Sequence, residues 1–103
     1  MAEKAIISKY EAAGYVVRKC KSGNINDFVA YKGKKTHFVR VKRGEEDVNC
    51  TGIPLNDFIR NAITNDAIPV IADKAKKSGT ITTYDANSTK SISLRPLQQT
   101  DKK

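Results

Sequence analysis

"DFVAYKGKKTHFVRVKRG", residues 27–44, is the stretch that decides the fold. Asp27 to Tyr31 is a run of β-forming residues opened by an acid, which predicts a strand. Lys32-Gly33-Lys34-Lys35 is a tight connection. Thr36 to Lys42 alternates with period two: Phe38, Arg40 and Lys42 point one way, Val39 and Val41 the other. The stretch is therefore a β-hairpin whose second strand puts two cations on one face.

Upstream, Ile6, Ile7, Tyr10 and Ala13 recur at helical spacing, so residues 3–13 read as a helix stopped by Gly14. Tyr15 to Cys20 reads as a strand and Lys21-Ser22-Gly23-Asn24 as a turn. Downstream, residues 43–53 form a loop containing the acids Glu45, Glu46 and Asp47. Pro54 suits a first helical position, and Leu55, Phe58, Ile59, Ala62 and Ile63 make an apolar stripe to about Asn65. Ile68 to Ala72 is a strand with its proline near the start. Thr80 to Tyr84 and Ser91 to Leu94 predict a last hairpin. The order is α-β-β-β-α-β-β without an internal repeat, an α+β domain in which two helices flank a mixed central sheet. Residues 1–97 are expected to form the domain, and 98–103 a disordered basic tail.

A chain of 103 residues is one domain by length. Its 39% apolar content supports one modest core and argues against disorder. No apolar run approaches the roughly 20 residues of a membrane span, and the MAEKAII start has no secretory pattern, so an intracellular protein is expected, cytoplasmic or in the nucleoid or nucleus. Cys20, Cys50 and the single His37 are too few and wrongly spaced for structural zinc, so two free thiols are expected. His37, flanking the third strand, is expected at the surface.

Charge says more. There are 19 Lys+Arg against 11 Asp+Glu, a net charge of +8 and a pI near 9.6. The cations cluster around Arg18 and Lys21, around Lys34 and Lys35, and around Arg40, Lys42 and Arg43. Such a surface attracts polyanions through counterion release, which favours nucleic acid as the partner. No helix pairs a basic face with a bulky apolar one, so a membrane surface is not expected. Tyr31, beside the lysine-rich turn, is the candidate for base stacking, whereas Tyr10 and Tyr15 read as core.

EKAIISKYEAAGYVVRKCKSGNINDFVA followed by THFVRVK resembles the restriction-endonuclease-like PD-(D/E)XK superfamily, within it the archaeal Holliday junction resolvases. Glu3 sits where those proteins have a helix Glu, and Gly14-Tyr15-Val16-Val17-Arg18 matches their Gly-aromatic-x-Val-x-Arg strand. Ser22 and Gly23 match a Ser-Gly pair, and Asp27 an Asp that begins the second strand. Their third strand carries acid-x-Lys; here the triplet is Arg40-Val41-Lys42. The resemblance covers residues 3–72 and implies DNA rather than RNA, a homodimer, and Glu3, Asp27 and Lys42 as the positions matching the catalytic residues.

Arg40 is the departure. In that family two acids on neighbouring strands hold a divalent metal that activates water. Mg²⁺ needs anionic oxygen ligands, and a guanidinium offers five donors and no acceptor. Arg40 is expected to pair bidentately with Asp27, neutralising the site. Three functions follow. The first is a nucleic-acid-binding protein, catalytically degenerate and without a cofactor, touching its ligand through Arg18, Lys21, Ser22, Tyr31, Lys34, Lys35, Arg40, Lys42 and Arg43. The second is a Mg²⁺-dependent DNA endonuclease in which Glu3, Glu11 or Asp47 supplies the missing acid. The third is an adaptor subunit that binds an acidic protein.

Overall fold

A computed structural model describes residues 2–20, 26–42, 50–74 and 81–94. Helix α1 (Ala2–Ala12) leads into strands β1 (Val16–Lys19), β2 (Phe28–Lys32) and β3 (Lys35–Lys42), helix α2 (Gly52–Thr64), and strands β4 (Ile68–Lys74) and β5 (Ile81–Asp85). The five strands form one sheet in the order β1-β2-β3-β4-β5. Only β3 and β4 run parallel; the other neighbours are antiparallel. The expected α+β architecture with a mixed sheet is the one observed.

Helix α1 ends as its sequence demands. Gly14 has φ 93°, the left-handed conformation that glycine enters without steric cost. The Gly14 N–H donates to the Glu11 carbonyl, and the Tyr15 N–H to the Tyr10 carbonyl. This is a Schellman cap, completed by Tyr10 and Tyr15 rings whose centroids lie 5.0 Å apart. Lys32 Nζ also donates to the Ala13 carbonyl at 2.9 Å, tying the helix end to β2. The β2–β3 turn needs only Gly33 and Lys34, with Gly33 at φ 60°.

The sheet is covered on both sides. Ile6, Tyr10 and Ala13 of α1 pack on Phe28, Ala30, Val39, Val41, Val70 and Ala72. Phe58 of α2 joins Ile71 and Cys50, with Phe38, Leu55, Ile59 and Tyr84 against them. Val70 and Ala72 belong to one cluster and the intervening Ile71 to the other, so the helices lie on opposite faces. Pleating divides β3 the same way, with Val39 and Val41 under α1 and Phe38, Arg40 and Lys42 on the α2 face.

Three boundaries differ from expectation. Helix α2 starts at Gly52, two residues before Pro54, after Thr51 in an extended conformation. Strand β4 runs on to Lys74 because β5 pairs along it to Lys74↔Ile81. The last hairpin's second arm is not a full strand: it makes a Tyr84↔Ser91 bridge, with the Ile92 N–H donating to the Thr83 carbonyl and the Asp85 N–H to the Lys90 carbonyl. The expected basic tail, 98–103, lies outside the described residues.

His37 also departs from expectation, being 2% exposed. It shares the α1 side with Val39 and Val41, and its Nδ1 lies 2.9 Å from the Tyr10 hydroxyl, inside a group of rings from Tyr10, Tyr15 and Phe28. Burial, with Lys35 nearby, lowers its pKa from 6.5 to about 4. An unfolded chain therefore takes up a proton that the folded chain refuses. Stability is full above pH 6.5 and falls as pH drops toward 4, by on the order of 3 kcal/mol in all. Urea unfolding across that window checks this: the wild-type midpoint should fall with acid, and the fall should be smaller in His37→Gln by His37's share.

Candidate nucleic-acid interface

At the end of the β2–β3 ladder the chain brings Asp27, Arg40 and Lys42 together. The Asp27 N–H donates to the Val39 carbonyl at 2.8 Å, and its Oδ2 accepts the Val41 N–H at 2.8 Å. The acid thus brackets Arg40 between two bonds to the backbone of β3. Its carbonyl meanwhile accepts the Cys20 N–H, joining β1 to the same corner. Asn26 is buried there, with its amide nitrogen 3.2 Å from Cys20 Sγ. Burial and the neighbouring Asp27 push the Cys20 thiol pKa up, so this thiol is held protonated.

Arg40 does not form the expected pair with Asp27; no ion pair joins them among the described residues. The reason is geometric. The Asp27 carboxylate turns along the sheet toward a backbone N–H, whereas the Arg40 side chain leaves the sheet toward α2. There its guanidinium carbon lies 5.5 Å from the centroid of the Phe58 ring, a cation–π contact. Arg40 Nε is buried without a hydrogen-bond partner, the only such side-chain atom among the described residues.

The remaining expected site residues separate into groups. Lys42 Nζ lies 3.8 Å from Asp73 Oδ2, its neighbour in the parallel β3–β4 register. Glu3 is held 3.9 Å from Lys19, and no described bond joins it to Asp27, Arg40 or Lys42. Glu11 is exposed on α1. Arg18 and Tyr31 meet on the open end of the α2 face, where Arg18 Nε donates to the Tyr31 hydroxyl at 3.2 Å. Lys34 and Lys35 are exposed at the β2–β3 turn. Lys21, Ser22, Arg43 and Asp47 lie outside the described residues.

Sequence reading missed Asp73 and Phe58 as parts of this corner. Asp73 reaches Lys42 only through a parallel pairing between strands separated by a helix. Phe58 looked like one residue of a core stripe. Neither carries a local signal.

The described residues offer two carboxylates near this corner, Asp27 and Asp73, on either side of β3. No three His, Cys, Asp or Glu side chains among the described residues are grouped closely enough to hold an ion. The Arg40 guanidinium stands on β3, between these two acids. Two cations share the α2 face of β3, Arg40 lodged on an aromatic ring and Lys42 beside a carboxylate.

Of the comparisons with known proteins, the one with solved structures bears on the fold. No family model matches the chain, and no curated protein matches it in sequence. Among solved structures it is similar to Hjc from Archaeoglobus fulgidus, a Holliday junction resolvase from an archaeal hyperthermophile. The TM-score is 0.66 at 16% identity, covering 82% of this chain and 75% of that one. The chain has a restriction-endonuclease-like fold close to that of the resolvase. Among the described residues no helix is long and apolar enough to cross a membrane.

Asp27 is therefore expected to matter for folding whatever else it does. Asp27→Ala leaves the Val41 N–H without its acceptor and should cost about 1–3 kcal/mol in urea unfolding. Asp27→Asn keeps an oxygen acceptor and should recover most of that loss. Equal losses in the two variants would mean that the charge, rather than the bond to Val41, is what stabilises this corner.

Proposed function

We propose that this protein binds nucleic acid through the α2 face of its sheet and does not cleave it. One observation carries the reading: at the position that the resemblance assigns to a metal-binding acid stands Arg40, with its Nε buried and unpartnered. An orphaned buried donor costs about 1–3 kcal/mol, so a position selected for stability alone would carry an apolar residue. The Phe58 ring offsets part of that cost, and a bound anion would offset more. The net charge of +8 supports the same class of partner. A phosphate meeting Arg40 and Lys42 would find charge-assisted donors where a nuclease presents a metal. DNA is the favoured nucleic acid, by likeness to a junction resolvase.

Asp73 supports a second reading. Beside Lys42, it is an acid that could stand in for the missing one, with Asp27 across β3. This endonuclease would need Mg²⁺ or Mn²⁺ and would cut labelled duplex or four-way junctions. Asp73→Asn would abolish the cutting.

Both readings meet in one experiment. Labelled duplex, single-stranded and four-way-junction DNA are incubated with the protein and Mg²⁺, then run on native and denaturing gels. The binding reading expects shifted, intact strands; cut strands would overturn it. Affinity should fall steeply with salt, with a log–log slope of about −0.9 per phosphate contacted on duplex. Arg40→Met should shorten that slope by about one contact while leaving stability unchanged or improved, since it removes the orphaned Nε and keeps the stem against Phe58. A slope near zero in the wild type would end the proposal.

A further inference from the structure

Helix α2 covers only part of its side of the sheet. It packs over Phe38, Ile71 and Tyr84, on β3, β4 and β5. On the same face, Val16 and Arg18 of β1 lie against Tyr31 and Val29 of β2. Val16, Val29 and Tyr31 join neither hydrophobic cluster. Val16 is 52% exposed directly across the ladder from Tyr31, so an apolar side chain and an aromatic ring share an open patch. The other face treats its aromatics differently: Tyr10 and Phe28 there are fully buried.

We propose that this open half-face is a seat for unpaired bases, with Tyr31 as the stacking surface and Arg18 as its brace. The inference rests on the nucleic-acid reading above and names the form of nucleic acid. The Arg18 Nε–Tyr31 hydroxyl bond holds the half-buried ring at its polar end, beside the exposed Val16. The patch lies between cations. Lys34 and Lys35 are exposed at the turn beyond Tyr31, and Arg40 and Lys42 lie on the same face at the other end of β3. Helix α2 lies over Phe38 between the turn and Arg40, so the bases seat beside the helix, over β1 and β2, with Lys34 and Lys35 at the turn to meet a phosphate.

A duplex hides its bases and presents phosphates, so an apolar–aromatic patch inside a cationic rim is wasted on it. A single strand, or the unstacked bases at a branch, offers π-faces and phosphates together. A second copy of this chain is a poorer occupant, because it would bring its own excess of cations, +8 in all, against the same rim.

The test is fluorescence anisotropy with labelled oligo-dT and a duplex of equal length at one salt concentration. Wild type should prefer the single strand. Tyr31→Ala should lose about tenfold on oligo-dT and roughly nothing on duplex, whereas Tyr31→Phe, which keeps the ring, should bind oligo-dT nearly as well as wild type. Val16→Glu, at an exposed site that does not endanger the fold, should repel the single strand selectively. Equal losses on both ligands, or none, would overturn the seat while leaving duplex binding and the broader reading intact. No binding to either ligand would end both. A concentration-dependent dimer in sedimentation that Val16→Glu disperses, without a selective effect on oligo-dT, would assign the patch to a second copy and overturn the proposal.

Discussion

Strand β3 has to satisfy two cores at once, and the rest of the molecule is arranged around that demand. His37, Val39 and Val41 face α1; Phe38, Arg40 and Lys42 face the side of α2. A register slip of one residue would drive two cations into the apolar cluster under α1 and expose two valines. The charge pattern therefore fixes the register as firmly as the apolar pattern does. Parallel pairing of β3 with β4 needs a crossover, and α2 is that crossover. The helix that closes the chain topologically also supplies the aromatic ring on which Arg40 lies.

The same constraint shapes the electrostatics of the corner. Asp27 spends its carboxylate on a backbone N–H of β3, at the point where the β2 ladder ends. Asp73 balances Lys42 from the next strand. Arg40 faces a ring rather than a carboxylate, so its charge is stabilised by a quadrupole and is not neutralised. Two cations and two acids therefore meet at this corner, and only Lys42 and Asp73 are joined as an ion pair among the described residues.

Much of this was legible in residues 27–44. Alternation in β3, glycine at the turn and the Gly14 stop of α1 each act through local backbone geometry, so they are written in short stretches. The order of elements and the fold followed from them. What escaped depends on distance in sequence. His37 looked like a surface flank because its partner Tyr10 is 27 residues away on a helix. The Arg40–Asp27 pair was expected because neighbouring strands place opposite charges together. It fails because a backbone N–H competes for the acid and a ring from α2 competes for the base. Composition foresaw neither competitor, since Val41 contributes through its main chain and Phe58 through a crossover helix.

The pairing of Arg40 with Phe58 also bears on what the corner can do. An aromatic ring presents its negative face to whatever stands over it. A carboxylate at position 40 would meet that face and be repelled, and its desolvation under α2 would go uncompensated. A guanidinium meets attraction in the same place. Position 40 therefore takes its character from α2 as well as from β3. The cation is thus tied into the packing of the domain.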